Sequence, residues 1–236
     1  MSEGRAFVDL HCHTSASFDS LAAPAAMARA AASRGLTHLA ITDHGTIDGA
    51  LAARDAAPEG LTILVGEEIR TVEGDLIAVF LERAIPNGLP AAEAIAAVRE
   101  QGGLVGIPHP FDRFRGSMGR DDDPGDGRRG GPERLIALSG GVDWIEAWNA
   151  RIVVGDGNVR AAALAASLGL PGVAVSDAHT TLEVGVASTT MTGDPSTAAG
   201  LRAALAAGLT IQPGRASIYT RLATPAAKLL KRVGLR

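Results

Sequence analysis

Five of the six histidines in this chain stand where short apolar runs end, each with a carboxylate or a second histidine nearby. Ala6 to Leu10 leads into His11 and His13, and Leu39 to Thr42 leads into Asp43 and His44. Leu61 to Val65 leads into Glu67 and Glu68, Leu104 to Ile107 into His109 between two prolines, and Val173 to Ser176 into Asp177 and His179. So many imidazoles and carboxylates at run ends suggest a multinuclear metal site. Mixed donors of this kind suit zinc, iron or manganese better than magnesium or calcium, which prefer all-oxygen shells. Residues two apart on a strand share a face, so His11 and His13 can hold one ion while Cys12 points away as a small core residue. Asp177 and His179 repeat that spacing. His38 opens its run instead of closing it and is read as structural; Trp144 and Trp148 are read as core.

These donors need a scaffold that brings at least five run ends to one place. Apolar runs of four to six residues bounded by Gly, Pro or polar residues fit strands buried on both faces, as in parallel sheets. Between them lie alanine-rich helical stretches: Pro24 to Arg34, Thr46 to Ala57, Pro90 to Gln101, Asp156 to Leu168 and Thr197 to Ala207, several closing at a glycine suited to a helix C-terminus. Alternating strand and helix predicts an α/β fold with a mainly parallel sheet. A closed or nearly closed barrel gathers ligands from five strands better than an open sheet, with the site at the C-terminal ends of the strands. One interruption is visible, because Leu61 to Ile69 and Asp75 to Leu81 read as a hairpin turning at Glu73 and Gly74. The stretch 112–131, dense in Gly, Asp and Arg, reads as a mobile loop beside the site. The stretch 220–236 reads as a basic tail with helical character. No internal repeat is apparent.

Length and composition agree with a barrel. A chain of 236 residues is read as one domain, 1–236, and buries roughly 70–75% of its unfolded surface. A formal net charge of -4 gives no general case for polyanion binding, so any such contact has to be local. The lone cysteine excludes an intramolecular disulfide and a thiolate zinc finger. No apolar stretch reaches the ~18 residues of a membrane span, and the N-terminus lacks a signal-peptide pattern. The expectation is a cytoplasmic protein.

In order along the chain, these motifs resemble the PHP (polymerase and histidinol phosphatase) family of metal-dependent phosphoesterases, particularly its small stand-alone members. The first family motif is similar to Asp9-Leu10-His11-Cys12-His13-Thr14 followed by Asp19-Ser20, and the second to Thr42-Asp43-His44. Gly66-Glu67-Glu68-Ile69, Pro108-His109-Pro110 and Ser176-Asp177-Ala178-His179 resemble the later ones. The resemblance covers residues 8 to about 180 and implies a distorted, TIM-like (β/α)7 barrel holding two to three divalent ions, Mn, Fe or Zn. By position it assigns His11, His13, Glu68 and Asp177 to one ion, Glu68 and His109 to a second, and Asp19, His44 and His179 to a third. Glu68 is preferred to Glu67 because the family glutamate directly precedes the aliphatic residue, here Ile69. Many relatives carry a histidine on the strand after that glutamate; this chain has none there, and Asp75 is either a replacement oxygen ligand or a solvated turn residue.

Clustered cations lower the pKa of bound water and neutralise a transferring phosphate. The expected function is therefore hydrolysis of a phosphomonoester, a nucleotide bisphosphate or an oligonucleotide end through a metal-bound hydroxide. Arginine supplies a bidentate fork for phosphate. Arg113 and Arg115 follow His109, and Arg151 follows Asn149, so these four residues are candidates for substrate binding, with Arg113 also a catalytic candidate. Asp43 is the other catalytic candidate, as a partner orienting an imidazole, although it could instead satisfy backbone donors in its turn. Glu146 is a further candidate for touching a bound water or a ligand imidazole. No nucleotide-binding glycine motif appears. The alternatives are a histidinol-phosphatase-like enzyme, an amidohydrolase-type C–N hydrolase, and a non-catalytic module like those attached to some polymerases.

Overall fold

A computed structural model describes residues 4–112, 116–119 and 132–234. The elements run β1 (Arg5–Asp9), α1 (Pro24–Ser33), β2 (His38–Ile41), α2 (Asp48–Asp55), β3 (Thr62–Arg70), β4 (Asp75–Val79), α3 (Ala91–Glu100) and β5 (Leu104–Ile107). They continue with α4 (Pro132–Leu138), β6 (Trp144–Asn149), α5 (Gly157–Leu168), β7 (Gly172–Val175), β8 (Ser188–Thr192), α6 (Ala198–Ala206) and β9 (Leu209–Gln212). Two short-range helices, α7 (Ile218–Arg221) and α8 (Ala223–Arg232), complete the described chain and give the basic tail its helical form.

The strands form one nine-stranded sheet in the order β7-β6-β5-β4-β3-β2-β1-β8-β9. It curls into a nearly closed, barrel-like α/β fold. At the rim beyond the strand ends, a bridge joins Cys12 to Ala178, and the His13 amide donates to the Ala178 carbonyl at 2.8 Å. Lower down, the Thr189 hydroxyl of β8 donates to the Ala174 carbonyl of β7 and accepts from its amide, at 3.0 and 2.9 Å. A single side chain thus does there what a backbone ladder does elsewhere.

The sheet is less parallel than the alternation of strands and helices suggests. β1-β2, β2-β3, β5-β6 and β6-β7 pair in parallel. The β3-β4, β4-β5, β1-β8 and β8-β9 pairs are antiparallel. The expected hairpin accounts for two of these; β8 and β9 account for the others and have no counterpart in the sequence reading. Their sequences, STTMT and LTIQ, lack a continuous apolar run. Helix α4 also follows a segment read only as irregular.

Two hydrophobic layers support the rim. Val8, Leu10, Leu64, Ile77, Leu104 and Trp144 are essentially buried within one cluster, to which α6 contributes Leu201 and Leu205. A second cluster joins the helices to the other face of the sheet and includes Cys12, Met27, Leu39, Ile69 and Ile107. Each such aliphatic side chain stabilises by about 1.5–3 kcal/mol on burial, so the polar rim rests on a rigid apolar floor. Gly106 marks one close contact between β5 and β6: a Cβ there would stand 2.1 Å from the Trp144 ring. Among the described residues, no helix is long and apolar enough to cross a membrane.

Candidate metal centre

The strand ends deliver the predicted donors to a single cleft. His11 and His13 lie just past β1, His44 past β2, Glu68 on β3, His109 past β5, and Asp177 and His179 past β7. Because β4 runs antiparallel to its neighbours, Asp75 reaches the same rim from the start of its strand. The donors group as His11-Glu68-His109, His11-His13-Asp177, His13-Asp19-His179 and His13-His44-Glu68, each set lying within 4.8 Å.

Glu68 stands at the centre. One carboxylate oxygen lies 3.3, 3.2 and 3.4 Å from Nε2 of His11, His13 and His44, and the other lies 3.1 Å from Nε2 of His109. Asp19 sits 3.1 Å from His179 and 3.4 Å from His44. Burial opposes ionisation of both carboxyls, but the surrounding imidazoles outweigh it and lower their pKa values. For His11, burial alone would lower the pKa; the Glu146 and Glu68 carboxylates raise it to about 10. Burial dominates at His179 and lowers its imidazole to about 4. In His13, burial and the neighbouring His179 act together to push the value well down.

The donor set fits metal ions. His11 and His13 bring ring nitrogens within 3.0 Å of each other, and both approach Glu68 and Asp177. The Nδ1 atoms of His13 and His44 are buried without a hydrogen-bond partner among the described residues. Converging, dehydrated nitrogens around carboxylates form a cation site, since such a cluster without ions would bury polar groups at a cost.

A supporting layer holds these ligands. Glu146 of β6 accepts from His11 Nδ1 at 2.6 Å, turning Nε2 of that ring toward Glu68. The same carboxyl accepts from the His109 amide and from Asn149 Nδ2, both at 2.9 Å. Asn149 Nδ2 also reaches Asp177 at 2.9 Å. Asn149 is thereby part of the buried support that holds the ligands. Asp43 is buried beside them: its two oxygens accept from the Thr14 amide and hydroxyl at 2.6 and 2.7 Å, which fixes the loop after β1. Burial raises its pKa to about 6.

Three further supports escaped the sequence reading. Ser117 bonds both Nδ1 and the carbonyl of His109, Glu183 accepts from the His179 amide, and Ser17 donates to Asp19. Spacing offered a weak signal only for the last two, each within four residues of its partner. His109 and Asp177 have positive φ, 27° and 53°, a strain of about 1–3 kcal/mol each that clusters at functional sites.

The remaining predictions sort by position. Asp75 lines the cleft but joins none of the four groups; His11, rather than Asp75, completes the set with Glu68 and His109. Burial and the nearby Glu68 raise the Asp75 carboxyl to about 6. Arg151 lines the cleft beside Glu183 at 3.8 Å, and its Nη2 donates to Thr224 at 2.8 Å. Arg113 and Arg115, like most of 112–131, lie outside the described residues. His38 bonds Thr37 and Ser196 at the opposite end of its strand, a structural role.

Comparison with known proteins gives this arrangement a context. Residues 9–121 match the PHP domain model, and residues 155–210 match the PHP-associated model. An uncharacterized protein of Methanocaldococcus jannaschii is 37% identical over 122 residues, spanning 71% of that protein and 47% of this chain. The chain belongs to the PHP family. Its fold is shared with a two-domain protein from Bacteroides vulgatus described as containing a predicted PHP-like metal-dependent phosphoesterase, with a TM-score of 0.70 and 21% identity. That match covers 89% of this PHP chain and 65% of the longer one. A lesion-specific endonuclease, EndoQ from Pyrococcus furiosus, is similar in fold over 88% of this chain and 58% of its own, at 17% identity and a TM-score of 0.63. The nearly closed sheet of this PHP chain agrees with the distorted barrel expected of the family, but it contains nine strands where seven were expected.

Proposed function

We propose that this chain is a metal-dependent phosphoesterase acting on phosphomonoesters or on phosphorylated ends of nucleotides and short oligonucleotides. The observation that carries the reading is the convergence of five imidazoles with Glu68, Asp19 and Asp177, at the base of a cleft of about 950 Å³ that His13, His44 and His179 line together with cationic side chains. In this reading His11, His13, Glu68 and Asp177 hold one ion. Glu68, His109 and His11 hold a second, with Asp75 facing it as an acid or an additional oxygen donor. Asp19, His44 and His179 hold a third.

Bound divalent ions supply Lewis acidity and an activated water. The chain's own residues do the rest. Glu146 keeps the proton of His11 on Nδ1, leaving Nε2 for the cleft, and Asn149 keeps Glu146 and Asp177 in place. Arg151, tethered by Thr224, offers a guanidinium for the equatorial oxygens of a bound phosphate. The buried floor limits water access to the open face.

The test is a phosphoester panel on manganese-loaded protein. Turnover is expected, with a loss of about 10²-fold or more in kcat/KM for Glu68→Gln, since its carboxylate touches four imidazoles. Inactivity of the loaded protein across the panel, or full activity of the variant, would overturn the reading.

A further inference from the structure

The mouth of the cleft holds a group of residues that the metal chemistry does not use. Phe18, in the loop between β1 and α1, packs its ring on His44 with centroids 4.8 Å apart. The Lys228 ammonium lies 5.1 Å from the Phe18 centroid, and the Arg70 guanidinium lies 5.8 Å from it. Arg70 comes from the end of β3 and Lys228 from α8, so two distant segments bring their charges to one aromatic ring. All three side chains line the same cleft as the metal ligands. Among the described residues, neither cation meets a carboxylate within ion-pair distance, whereas Arg151 is tied to Glu183 and Thr224.

The position of Lys228 is built. On the same helix, Lys231 donates to the Ser15 carbonyl at 2.6 Å and also to the Ser17 carbonyl, in the loop that carries Phe18 and Asp19. Thr224, in the first turn of α8, is held by Arg151. The helix is thereby fastened on both sides of the cleft and forms one wall of it. Cation–π contact holds each charge near the ring at modest cost while leaving its donors available. Two cations with no carboxylate in ion-pair distance among the described residues, facing a cleft that already contains a cation site, are a recognition element for a second negative charge.

We propose that Arg70 and Lys228, gathered on Phe18, form an anion subsite that receives a second negatively charged group of the substrate, remote from the phosphoryl group at the metal centre. The subsite extends the phosphoesterase reading and rests on it for the identity of the first group. It gives the chain a preference for doubly charged ligands over those with a single terminal phosphate, and it assigns the C-terminal helix a role in selecting substrate.

The experiment uses non-hydrolysable probes, so that binding and turnover are read separately. Alkyl monophosphonates and α,ω-alkane bisphosphonates of several chain lengths are titrated calorimetrically into the manganese-loaded full chain. At the best length the bisphosphonate is expected to bind about tenfold more tightly than its monophosphonate, the size of one charge-assisted contact in a partly solvated cleft. In Lys228→Met and Arg70→Met that ratio falls toward unity, and in Lys228→Arg it recovers. Arg215→Ala, which removes an exposed charge elsewhere, keeps the ratio and so excludes a general effect of net charge. Equal affinities in the unmodified chain at every length, or a ratio retained in both methionine variants, overturns the subsite. Turnover of p-nitrophenyl phosphate is measured alongside: its absence with the ratio intact refutes the phosphoesterase reading and leaves the anion subsite standing.

Discussion

Glu146 illustrates how much of this site depends on residues that are not ligands. Its carboxylate, wholly buried, binds the ring of His11, the backbone of His109 and the amide of Asn149 at once. Removing the charge while keeping the shape therefore acts on two candidate ligands. Glu146→Gln is expected to lower manganese or zinc affinity by about 10- to 100-fold, the usual effect of losing a carboxylate that orients a ligand histidine. Chelator competition measures this, and an unchanged far-UV spectrum would show that the barrel itself persists. Affinity within twofold of the unmodified protein would remove Glu146 from the support. At this scale, residue types and spacing exposed the donors, because imidazoles paired at two-residue intervals on strands have few other uses. The same spacing left the supporting groups undecided. Asp43 and Asn149 sit beside ligands in sequence, yet Thr14 takes one and Glu146 with Asp177 takes the other.

The elements were legible where their burial is uniform. Strands β2, β4, β5 and β7 are nearly or fully buried along their length, and their apolar runs mark them directly. β8 was not legible, because its threonines satisfy a different demand. Thr189 closes the gap between β7 and β8 by bonding both backbone groups of Ala174, a task invisible without the neighbouring strand. Thr189→Val keeps the shape and the β-propensity but leaves a buried amide and carbonyl without that partner, which costs about 1–3 kcal/mol. Urea denaturation checks this: the midpoint should fall while the m-value stays constant. An unchanged midpoint would mean that the closure is not held by this hydroxyl.

For the whole molecule, ions and fold are linked. The cluster draws side chains from five strands or their ends, so ions bound there tie the barrel together and bind the unfolded chain less well. At an ion concentration about 100 times Kd, binding stabilises by about 2.7 kcal/mol, or roughly 5–10 °C in Tm for a chain of this size. Chelation should lower Tm by that amount, and readdition of manganese should restore it. The double variant His11→Ala/His13→Ala should show no such shift. Sequence alone determined the donors, the apolar strands behind them and the rim where they meet, because those follow from local burial and from the alternation of strand faces. Tertiary structure alone decided the rest. It chose the groups that orient the ligands, set half the strand pairs antiparallel, and brought α8 back over the cleft through Lys231, some 216 residues beyond Ser15 in the chain. The physical reason is the same throughout: each of these depends on a partner far away in sequence, and local pattern carries no record of which distant group a buried polar atom will find.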